Sequence, residues 1–255
     1  MSILNSFMLN GQKAIVTGGA RGIGSAAAVA FAEAGADVCL IDIRDSSQTV
    51  SMIEAVGRKA YGIKADLSKE DEVNAAIDEA KKLLGKINVL FNNAGIAHCA
   101  PCEDMTFAEW RKVMDIDLDA VFLVARAVGR IMIKDGGGGS IINTASMSGL
   151  IVNYPQEQVA YNTAKAGVIH LTKSLACEWA KYGIRVNSVS PGYIITDMTP
   201  ATTNKAWLDT WQSMSPTKRF GAPADIAGGV LYLASAAASY TTGCDLVIDG
   251  GYCCY

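Results

Sequence analysis

Short, continuous apolar runs alternate with longer segments of helical spacing along the whole chain. The short runs are rich in Val, Ile and Leu and do not alternate cleanly with polar residues, so they predict strands covered on both faces. The predicted strands are Lys13–Thr17, Asp37–Ile41, Lys59–Ala65, Val89–Asn92, Ser140–Thr144, Arg185–Ser190 and Leu246–Ile248. Helical patterns lie between them, for example at Ile23–Ala34, Asp71–Leu84, Phe107–Ile133 and Ala160–Tyr182.

This alternation predicts one α/β domain over residues 1–255, a doubly wound (Rossmann) parallel sheet of seven strands with helices on both faces. No internal repeat or linker divides the chain. The least regular stretch is 191–220, which contains Trp207 and Trp211. An irregular stretch of this kind within an α/β domain is often a substrate loop. A surface helix with a small core of its own is the alternative interpretation.

Composition and charge argue against several classes of function. The 255 residues are 50% hydrophobic and 18% charged, with a net charge of −3, so neither nucleic acid nor an anionic membrane is an expected partner. No apolar run approaches the ~20 residues that cross a bilayer. The first residues lack the features of a signal peptide, which predicts a cytoplasmic protein.

The cysteines offer one candidate metal-binding pair. Seven cysteines are scattered along the chain, as expected of reduced thiols in the cytoplasm. Cys99 and Cys102, beside His98, have the spacing of two zinc ligands. A structural zinc site needs a second pair of ligands, and the chain has none at similar spacing, so we predict no metal site.

A glycine-rich turn follows the first strand. The strand runs into Thr17-Gly18-Gly19-Ala20-Arg21-Gly22-Ile23-Gly24, and a helix pattern begins at once. Glycines there permit a tight turn and a close approach of the backbone to a pyrophosphate. The amides and positive dipole of the helix N-terminus can then bind that anion.

An acidic residue, Asp42, ends the second strand. A carboxylate there can bind both ribose hydroxyls of NAD and would repel the 2′-phosphate of NADP. Arg21 and Arg44 oppose that preference, and a helix cap or turn is the alternative role for Asp42. We predict NAD as the cofactor.

The glycine spacing, Thr-Gly-x-x-x-Gly-x-Gly, resembles that of the short-chain dehydrogenase/reductase family, and the resemblance extends over essentially the whole chain. Other motifs of the family are matched by Asp66-Leu67, Asn92-Asn93-Ala94-Gly95, Tyr161-Asn162-Thr163-Ala164-Lys165, and Pro191-Gly192 with Thr196. The residues that the resemblance implies for cofactor binding are Gly18, Arg21, Gly22, Ile23, Gly24, Asp42, Asp66, Leu67, Asn93, Ala94, Gly95, Tyr161, Lys165, Pro191, Gly192, Ile194 and Thr196.

Tyr161 and Lys165 lie at positions i and i+4 of a helical pattern and therefore share one face. An isolated phenol titrates near ~10, and an adjacent ammonium is expected to lower that pKa, so that tyrosine can exchange a proton with an alcohol or ketone oxygen. Ser146, at the end of the preceding strand, can donate a hydrogen bond to a developing alkoxide. The family resemblance implies that all three are catalytic and that Lys165 also holds the ribose hydroxyls of the cofactor.

The usual fourth catalytic residue of the family is an asparagine in an Asn-Leu-x-x-Val-Phe setting. The matching run here is Asp117-Leu118-Asp119-Ala120-Val121-Phe122, so Asp117 takes the place of the asparagine. An ionised carboxylate accepts hydrogen bonds but cannot donate one, so its role is left open. It could also interact with Lys165.

The segment 146–156 resembles part of the polyol and ketose reductases of the family. The predicted substrate-binding residues are Ser146, Ser148, Asn153, Gln156 and Tyr161. Gln158, His98 and Glu157 are further polar candidates, with solvent exposure the better expectation for Glu157. We therefore predict interconversion of a secondary alcohol and a ketone, with a sugar alcohol or ketose as substrate.

Two other functions remain as alternatives. A 3-oxoacyl-carrier-protein reductase would generally prefer NADP, which Asp42 disfavours. It would also need a basic patch to dock the acidic carrier protein, which the net charge of −3 disfavours. A non-catalytic NAD-binding scaffold is favoured only by Asp117. The long apolar patterns Phe107–Ile133 and Ala160–Tyr182 match helices that family members commonly pair across a dimer interface, so the resemblance implies a homotetramer.

Overall fold

The computed structural model describes residues 2–196 and 204–254. Its strands are β1 Lys13–Thr17, β2 Asp37–Asp42, β3 Ala60–Lys64, β4 Val89–Asn92, β5 Gly139–Thr144, β6 Ile184–Pro191 and β7 Asp245–Ile248. They form one seven-stranded sheet in the order β3-β2-β1-β4-β5-β6-β7, with every neighbouring pair parallel. The predicted doubly wound parallel sheet is confirmed, because strand order and strand direction both agree with it.

Eight α-helices lie in the described residues. They are α1 Gly22–Glu33, α2 Ser47–Ala55, α3 Glu70–Leu84, α4 Phe107–Met114, α5 Ala120–Asp135, α6 Val159–Trp179, α7 Lys205–Met214 and α8 Pro223–Ala234. Alternate residues of the central strands point to opposite faces of the sheet. In β1, Ile15 packs in the core formed with α3 and α5, and its neighbour Val16 packs in the core formed with α1 and α8. Burying one such side chain stabilises the fold by about 1.5–3 kcal/mol. Because helices cover both faces of the sheet, the central strands carry apolar side chains on both faces.

The helix predicted over Phe107–Ile133 is interrupted. Asp115–Asp119 form a π-helical turn between α4 and α5, and this turn brings Asp117 into the interior with no exposed surface. Such turns insert one residue without changing the period of the flanking helix, so apolar spacing could not show it. The helix predicted over Ala160–Tyr182 is α6 followed by one 3-10 turn at Ala180–Tyr182.

The predicted substrate loop, 191–220, contains the end of β6 and helix α7. Residues 197–203 lie outside the described part of the chain. Asn204 caps α7 by accepting a hydrogen bond from the amide of Ala206. Trp211 is 9% exposed, so α7 is packed against the rest of the molecule through this side chain.

The strand order reverses between β1 and β4, and a crevice opens there at the carboxyl ends of the strands. Thr17, Asn92 and Thr144 end β1, β4 and β5 on this edge. The site residues described below gather here. Among the described helices, none has the length and apolar character needed to cross a membrane.

Candidate active site

The turn between β1 and α1 has a backbone that excludes side chains at two points. Gly18 has a φ of +65°, and a Cβ placed on it would lie 2.9 Å from the Cα of Ala94. A Cβ on Gly24 would lie 2.1 Å from the carbonyl oxygen of Gly18. Glycine is therefore required for the turn to close tightly against β4, which keeps its backbone accessible to a ligand.

The N-terminus of α1 opens onto the same turn. Helix α1 begins at Gly22, and the side chain of the preceding Arg21 does not cap it. The first-turn amides, including that of Ile23, and the positive end of the helix dipole suit a pyrophosphate. A Cβ on Gly22 would lie 3.5 Å from Cγ2 of Thr196, so the loop after β6 lies over this turn. The predicted phosphate-binding and carboxamide-binding segments are thus neighbours.

Thr17 and Asn93 join the glycine turn to the end of β4. The Thr17 hydroxyl accepts hydrogen bonds from the amides of Asn93 (2.8 Å) and Ala94 (3.1 Å), and Asn93 Nδ2 donates to the carbonyl of Thr17 at 3.1 Å. A Cβ on Gly95 would lie 2.6 Å from Asp117 Oδ1. The Asn92–Gly95 motif therefore supports the phosphate turn at one end and makes room for the catalytic residues at the other.

The carboxylate of Asp42 lies against the glycine turn. Its Oδ2 accepts a hydrogen bond from the amide of Ala20 at 3.0 Å, and its Oδ1 accepts one from the amide of Arg44 at 3.0 Å. The alternative role foreseen for Asp42, a turn residue, is thus present in the structure. Each carboxylate oxygen has a second lone pair, so these bonds leave capacity for ribose hydroxyls.

Two further segments predicted to bind the cofactor lie at the ends of β3 and β6. Asp66 accepts hydrogen bonds from the amide (3.1 Å) and hydroxyl (2.7 Å) of Ser68, and these bonds hold the pKa of its carboxyl below the usual value. Leu67 beside it is buried. Strand β6 ends at Pro191, and the amide of the next residue, Gly192, donates a hydrogen bond to the carbonyl of Ile248 at 3.0 Å. Ile194 forms an isolated parallel β-bridge with Gly221.

Ser146, Tyr161 and Lys165 come together at the carboxyl end of β5. Ser146 Oγ accepts a hydrogen bond from the Ser148 amide at 3.1 Å, which leaves its hydroxyl hydrogen available to donate. Lys165 is buried, its Nζ donates to the carbonyl of Thr144 at 3.0 Å, and Nζ lies 5.6 Å from the centre of the Tyr161 ring. A hydroxyl donor, a phenol and an ammonium thus lie together, an arrangement suited to proton exchange at an oxygen atom.

The pKa of Tyr161 is raised, contrary to the expectation from sequence. Burial has the largest effect and the negative charge of Asp117 adds to it, while a hydrogen bond to Ser146 lowers the pKa. The spacing of Tyr161 and Lys165 predicts the effect of the ammonium but not the cost of charging a phenol away from water. A bound oxidised nicotinamide would bring positive charge to the site and so favour the phenolate.

Asp117 is the most deeply placed ionisable group of the site. Its Oδ1 accepts a hydrogen bond from the amide of Ile96 at 2.9 Å and lies 3.8 Å from Lys165 Nζ, while its Oδ2 is buried without a hydrogen-bond partner. Burial raises the pKa of the Asp117 carboxyl, and the Lys165 ammonium opposes that shift. The interaction with Lys165 that the sequence suggested is present as a buried ion pair.

We expect Asp117→Asn to retain alcohol oxidation and to move the rising, acidic limb of its pH–rate profile to lower pH by about one pH unit. The phenolate is the base in this direction, so the rate rises as pH passes the pKa of Tyr161. Because Asp117 raises that pKa, removing its charge lowers it. Initial rates at saturating substrate across pH would measure the shift, with Asp115→Asn on the same π turn as control. An unmoved limb would show that Asp117 carries no charge during turnover.

Two of the predicted substrate-binding residues are engaged with protein groups. Asn153 and Gln156 are each 5% exposed, and both donate to the Tyr193 hydroxyl, at 3.2 and 2.8 Å. Gln158 donates to Ser148 Oγ at 3.2 Å and to Asn153 Oδ1 at 2.9 Å. Contacts of these side chains with substrate stay a prediction, since each amide retains unused donor or acceptor capacity.

These amides hold two stacked aromatic side chains that the sequence pattern does not predict. Tyr193 stacks on Trp211 with ring centres 4.2 Å apart, and both line a cavity of about 240 Å³ together with Ile194 and Tyr252. Trp211 lies in the irregular stretch 191–220, and nothing in the local sequence pattern links it to Tyr193.

The remaining polar candidates lie at the edge of the site. Glu157 is exposed, as expected, and His98 Nε2 lies 3.4 Å from Glu109 Oε1. Cys99 and Cys102 are both exposed free thiols. Over the described ranges, no group of His, Cys, Asp and Glu side chains is arranged to hold a metal ion.

Comparison with known proteins agrees with this geometry. A family model described as "Enoyl-(Acyl carrier protein) reductase" matches residues 18–253. The chain is 43% identical to a sorbose reductase of Candida albicans, over 99% of this chain and 91% of that protein. It is 44% identical to a probable NADP-dependent mannitol dehydrogenase of Yarrowia lipolytica, over 99% and 91%.

Among solved structures, a short-chain type dehydrogenase/reductase from Mycobacterium marinum superposes with a TM-score of 0.97. It is 43% identical, and all of both chains is covered. Identity at this level over the full length shows common family membership as well as common fold. The chain belongs to the short-chain dehydrogenase/reductase family and is an oxidoreductase of alcohols and ketones that uses a nicotinamide cofactor.

Proposed function

We propose that this protein is an NAD-dependent polyol dehydrogenase, which interconverts a secondary alcohol of a sugar alcohol with the corresponding ketose. The observation that carries the reaction is the meeting of Ser146, Tyr161 and Lys165 at the end of β5. The substrate class is supported by relatives described as a sorbose reductase and a mannitol dehydrogenase. The cavity next to Tyr193 suits a polyhydroxylated chain, because its lining is rich in polar groups: hydroxyls of Tyr193, Ser215, Thr217 and Tyr252 and the charged side chains of Arg219, Asp225 and Asp249.

The proton exchange follows from the positions of these groups. The glycine turn and Asp42 would hold a nicotinamide cofactor, which would provide the hydride acceptor for oxidation of the alcohol and the hydride donor for reduction of the ketone. The Tyr161 phenolate takes the hydroxyl proton in oxidation and the phenol returns it to the ketone oxygen in reduction. Ser146 donates a hydrogen bond to the same oxygen while negative charge builds on it. Lys165 stabilises the phenolate and is held in place by Thr144 and Asp117.

The choice of NAD over NADP rests on Asp42. Its carboxylate lies at the end of β2 and is held in place by the amides of Ala20 and Arg44. A 2′-phosphate at this position would face a fixed negative charge. Arg21 and Arg44 would reduce that repulsion, and the relative from Yarrowia lipolytica is described as NADP-dependent, so the preference for NAD depends on the charge of Asp42.

We expect Asp42→Asn to shift the ratio of kcat/KM values for NAD and NADP toward NADP by about 10- to 100-fold, equivalent to about 1.4–2.7 kcal/mol. The amide removes the charge but keeps an oxygen that can accept from a backbone amide. Steady-state rates with each cofactor would measure the ratio. Asp45→Asn, three positions along the same loop and exposed, is the matched control. An unchanged ratio would show that Asp42 does not discriminate between the 2′-hydroxyl of NAD and the 2′-phosphate of NADP.

The direct test of the proposed function is cofactor reduction with a panel of substrates. Five- and six-carbon polyols, hydroxy acids and acyl-thioester analogues should be compared with NAD and with NADP. We expect turnover with polyols and NAD. Turnover confined to acyl thioesters would support the carrier-protein reductase instead, and tight NAD binding without turnover would support the scaffold.

We further propose that the protein assembles as a homotetramer through α4–α5 and α6. Exposed apolar side chains at Phe107 (76% exposed) and Phe122 (40%) lie on these helices and agree with a covered face. Light scattering that shows a stable monomer at assay concentration would contradict this. The cytoplasmic location stays a prediction from the sequence.

A further inference from the structure

A chain of buried hydrogen bonds joins helix α7 to the segment 150–158 that precedes the catalytic tyrosine. Trp211 Nε1 donates to Gln156 Oε1 at 2.9 Å, and Gln156 Nε2 donates to the Tyr193 hydroxyl at 2.8 Å. Gln156 is 5% exposed and Trp211 is 9% exposed. Gln156 therefore binds one aromatic residue with each end of its amide, and solvent can replace neither bond.

The same chain continues to the catalytic serine. Asn153 Nδ2 donates to the Tyr193 hydroxyl at 3.2 Å, and Gln158 Nε2 donates to Asn153 Oδ1 at 2.9 Å and to Ser148 Oγ at 3.2 Å. The Ser148 amide in turn donates to Ser146 Oγ. Hydrogen bonds thus run without a break from the wall of the pocket to a group that faces the reacting oxygen.

The two aromatic residues at the far end of this chain of hydrogen bonds, Tyr193 and Trp211, line a cavity next to the catalytic segment. Their rings lie nearly parallel, at 9° and 4.2 Å between centres, and Tyr252 meets the Tyr193 ring edge-on at 5.3 Å. All three residues line the cavity of about 240 Å³. A shift of Trp211 would therefore change the shape of the cavity without moving Tyr161 or Lys165, which lie on α6.

The hydrogen bonds of Gln156 favour one position of α7 relative to the segment 150–158. If the indole or the glutamine moves, a buried N–H and a buried carbonyl lose their partners together, and such groups are costly to leave unpaired. Stacking with Tyr193 adds a second constraint on the same ring. Residues on separate elements are thus held at a fixed distance by Gln156.

We propose that Gln156 is a positioning residue that fixes Trp211, Tyr193 and helix α7 against the catalytic segment, and thereby determines how tightly the polyol is bound. The inference rests on the proposed function for its substrate. Because Gln156 touches none of the reacting groups, its loss should weaken substrate binding and leave the chemical step largely unchanged.

The test compares Gln156→Met, which keeps the length of the side chain without its hydrogen bonds, with Trp211→Phe, which removes the indole N–H. For the best polyol of the panel we expect KM to rise at least fivefold in each variant, with kcat and the Kd for NAD within twofold. The double variant should be no more than twofold worse than Gln156→Met alone, since Trp211→Phe removes a hydrogen bond that Gln156→Met has already removed. Asp209→Asn, exposed on the same helix, and Gln48→Met, exposed on α2, are matched controls with unchanged constants.

A second measurement does not depend on turnover. Hydrogen exchange of residues 205–214, followed by mass spectrometry, should be at least tenfold faster in Gln156→Met than in the parent protein, with α1 and α6 unchanged. Unchanged exchange in α7, or equal losses in kcat and in NAD affinity, would overturn the proposal. If the parent protein oxidises no polyol, the proposed function fails, whereas the exchange of α7 still decides whether Gln156 holds this helix.

Discussion

Tyr161→Phe is expected to lower the rate of alcohol oxidation by about 10²–10⁴-fold, the range typical of a lost general acid or base. The substitution removes only the phenolic oxygen. The ring, which Lys165 Nζ approaches at 5.6 Å, keeps its place, so the pocket should retain its shape. Binding of NAD should stay within twofold, because the phosphate turn and Asp42 are untouched.

The measurement pairs single-turnover oxidation with a fluorescence titration of NAD. Tyr240→Phe is a matched control, since Tyr240 is fully exposed. Ser146→Ala should reduce the rate as well but less than Tyr161→Phe, because a lost oxyanion donor typically costs about 10²–10³-fold. Turnover retained in Tyr161→Phe would remove this residue from the mechanism.

Lys165→Met is expected to abolish measurable turnover and also to destabilise the fold by about 3–5 kcal/mol. The first effect follows because the ammonium stabilises the phenolate. The second follows because the variant leaves the Asp117 carboxylate in a fully buried position with one hydrogen bond and no nearby cation. Denaturant unfolding would measure the loss, with Lys173→Met, exposed on the same helix, as control.

The two effects of Lys165→Met can be separated. Adding Asp117→Asn should recover most of the lost stability, since the unpaired charge is gone, and none of the turnover. Without Lys165, burial leaves the folded-state pKa of Asp117 above its unfolded value. A raised folded pKa means that stability is retained below the unfolded pKa and lost as pH rises through the folded one. The stability deficit of Lys165→Met should therefore shrink as pH falls. A deficit independent of pH and of Asp117 would contradict the ion pair.

The fold was predictable because its signal is local and repeated. Most of the strands are short, largely apolar runs bounded by polar or glycine-rich turns, and the observed bounds lie within one residue of those predicted. The π turn at Asp115–Asp119 escaped prediction because one inserted residue leaves the apolar period of both flanking helices intact.

The pKa of Tyr161 shows a different limit. Spacing placed an ammonium near the phenol, but the size and even the sign of the shift depend on burial and on Asp117, which is distant along the chain. The polar side chains at 153 and 156 show the same limit. Their chemistry suits a polyol, yet the structure surrounds them with Tyr193 and Trp211 from another segment.

The sequence by itself determined the doubly wound parallel sheet, the glycine turn, the acidic residue at the end of β2 and the placement of Tyr161 and Lys165 on one helical face. These properties depend on residues that are adjacent or one helical turn apart, and their physical causes are side-chain burial, backbone sterics and helical period. Only the tertiary structure decided that Asp117 is a buried partner of Lys165 and that Gln156 is bonded to the aromatic wall of the pocket. Those contacts join segments far apart in the chain, and desolvation, which sets their energies, is a property of the folded interior alone.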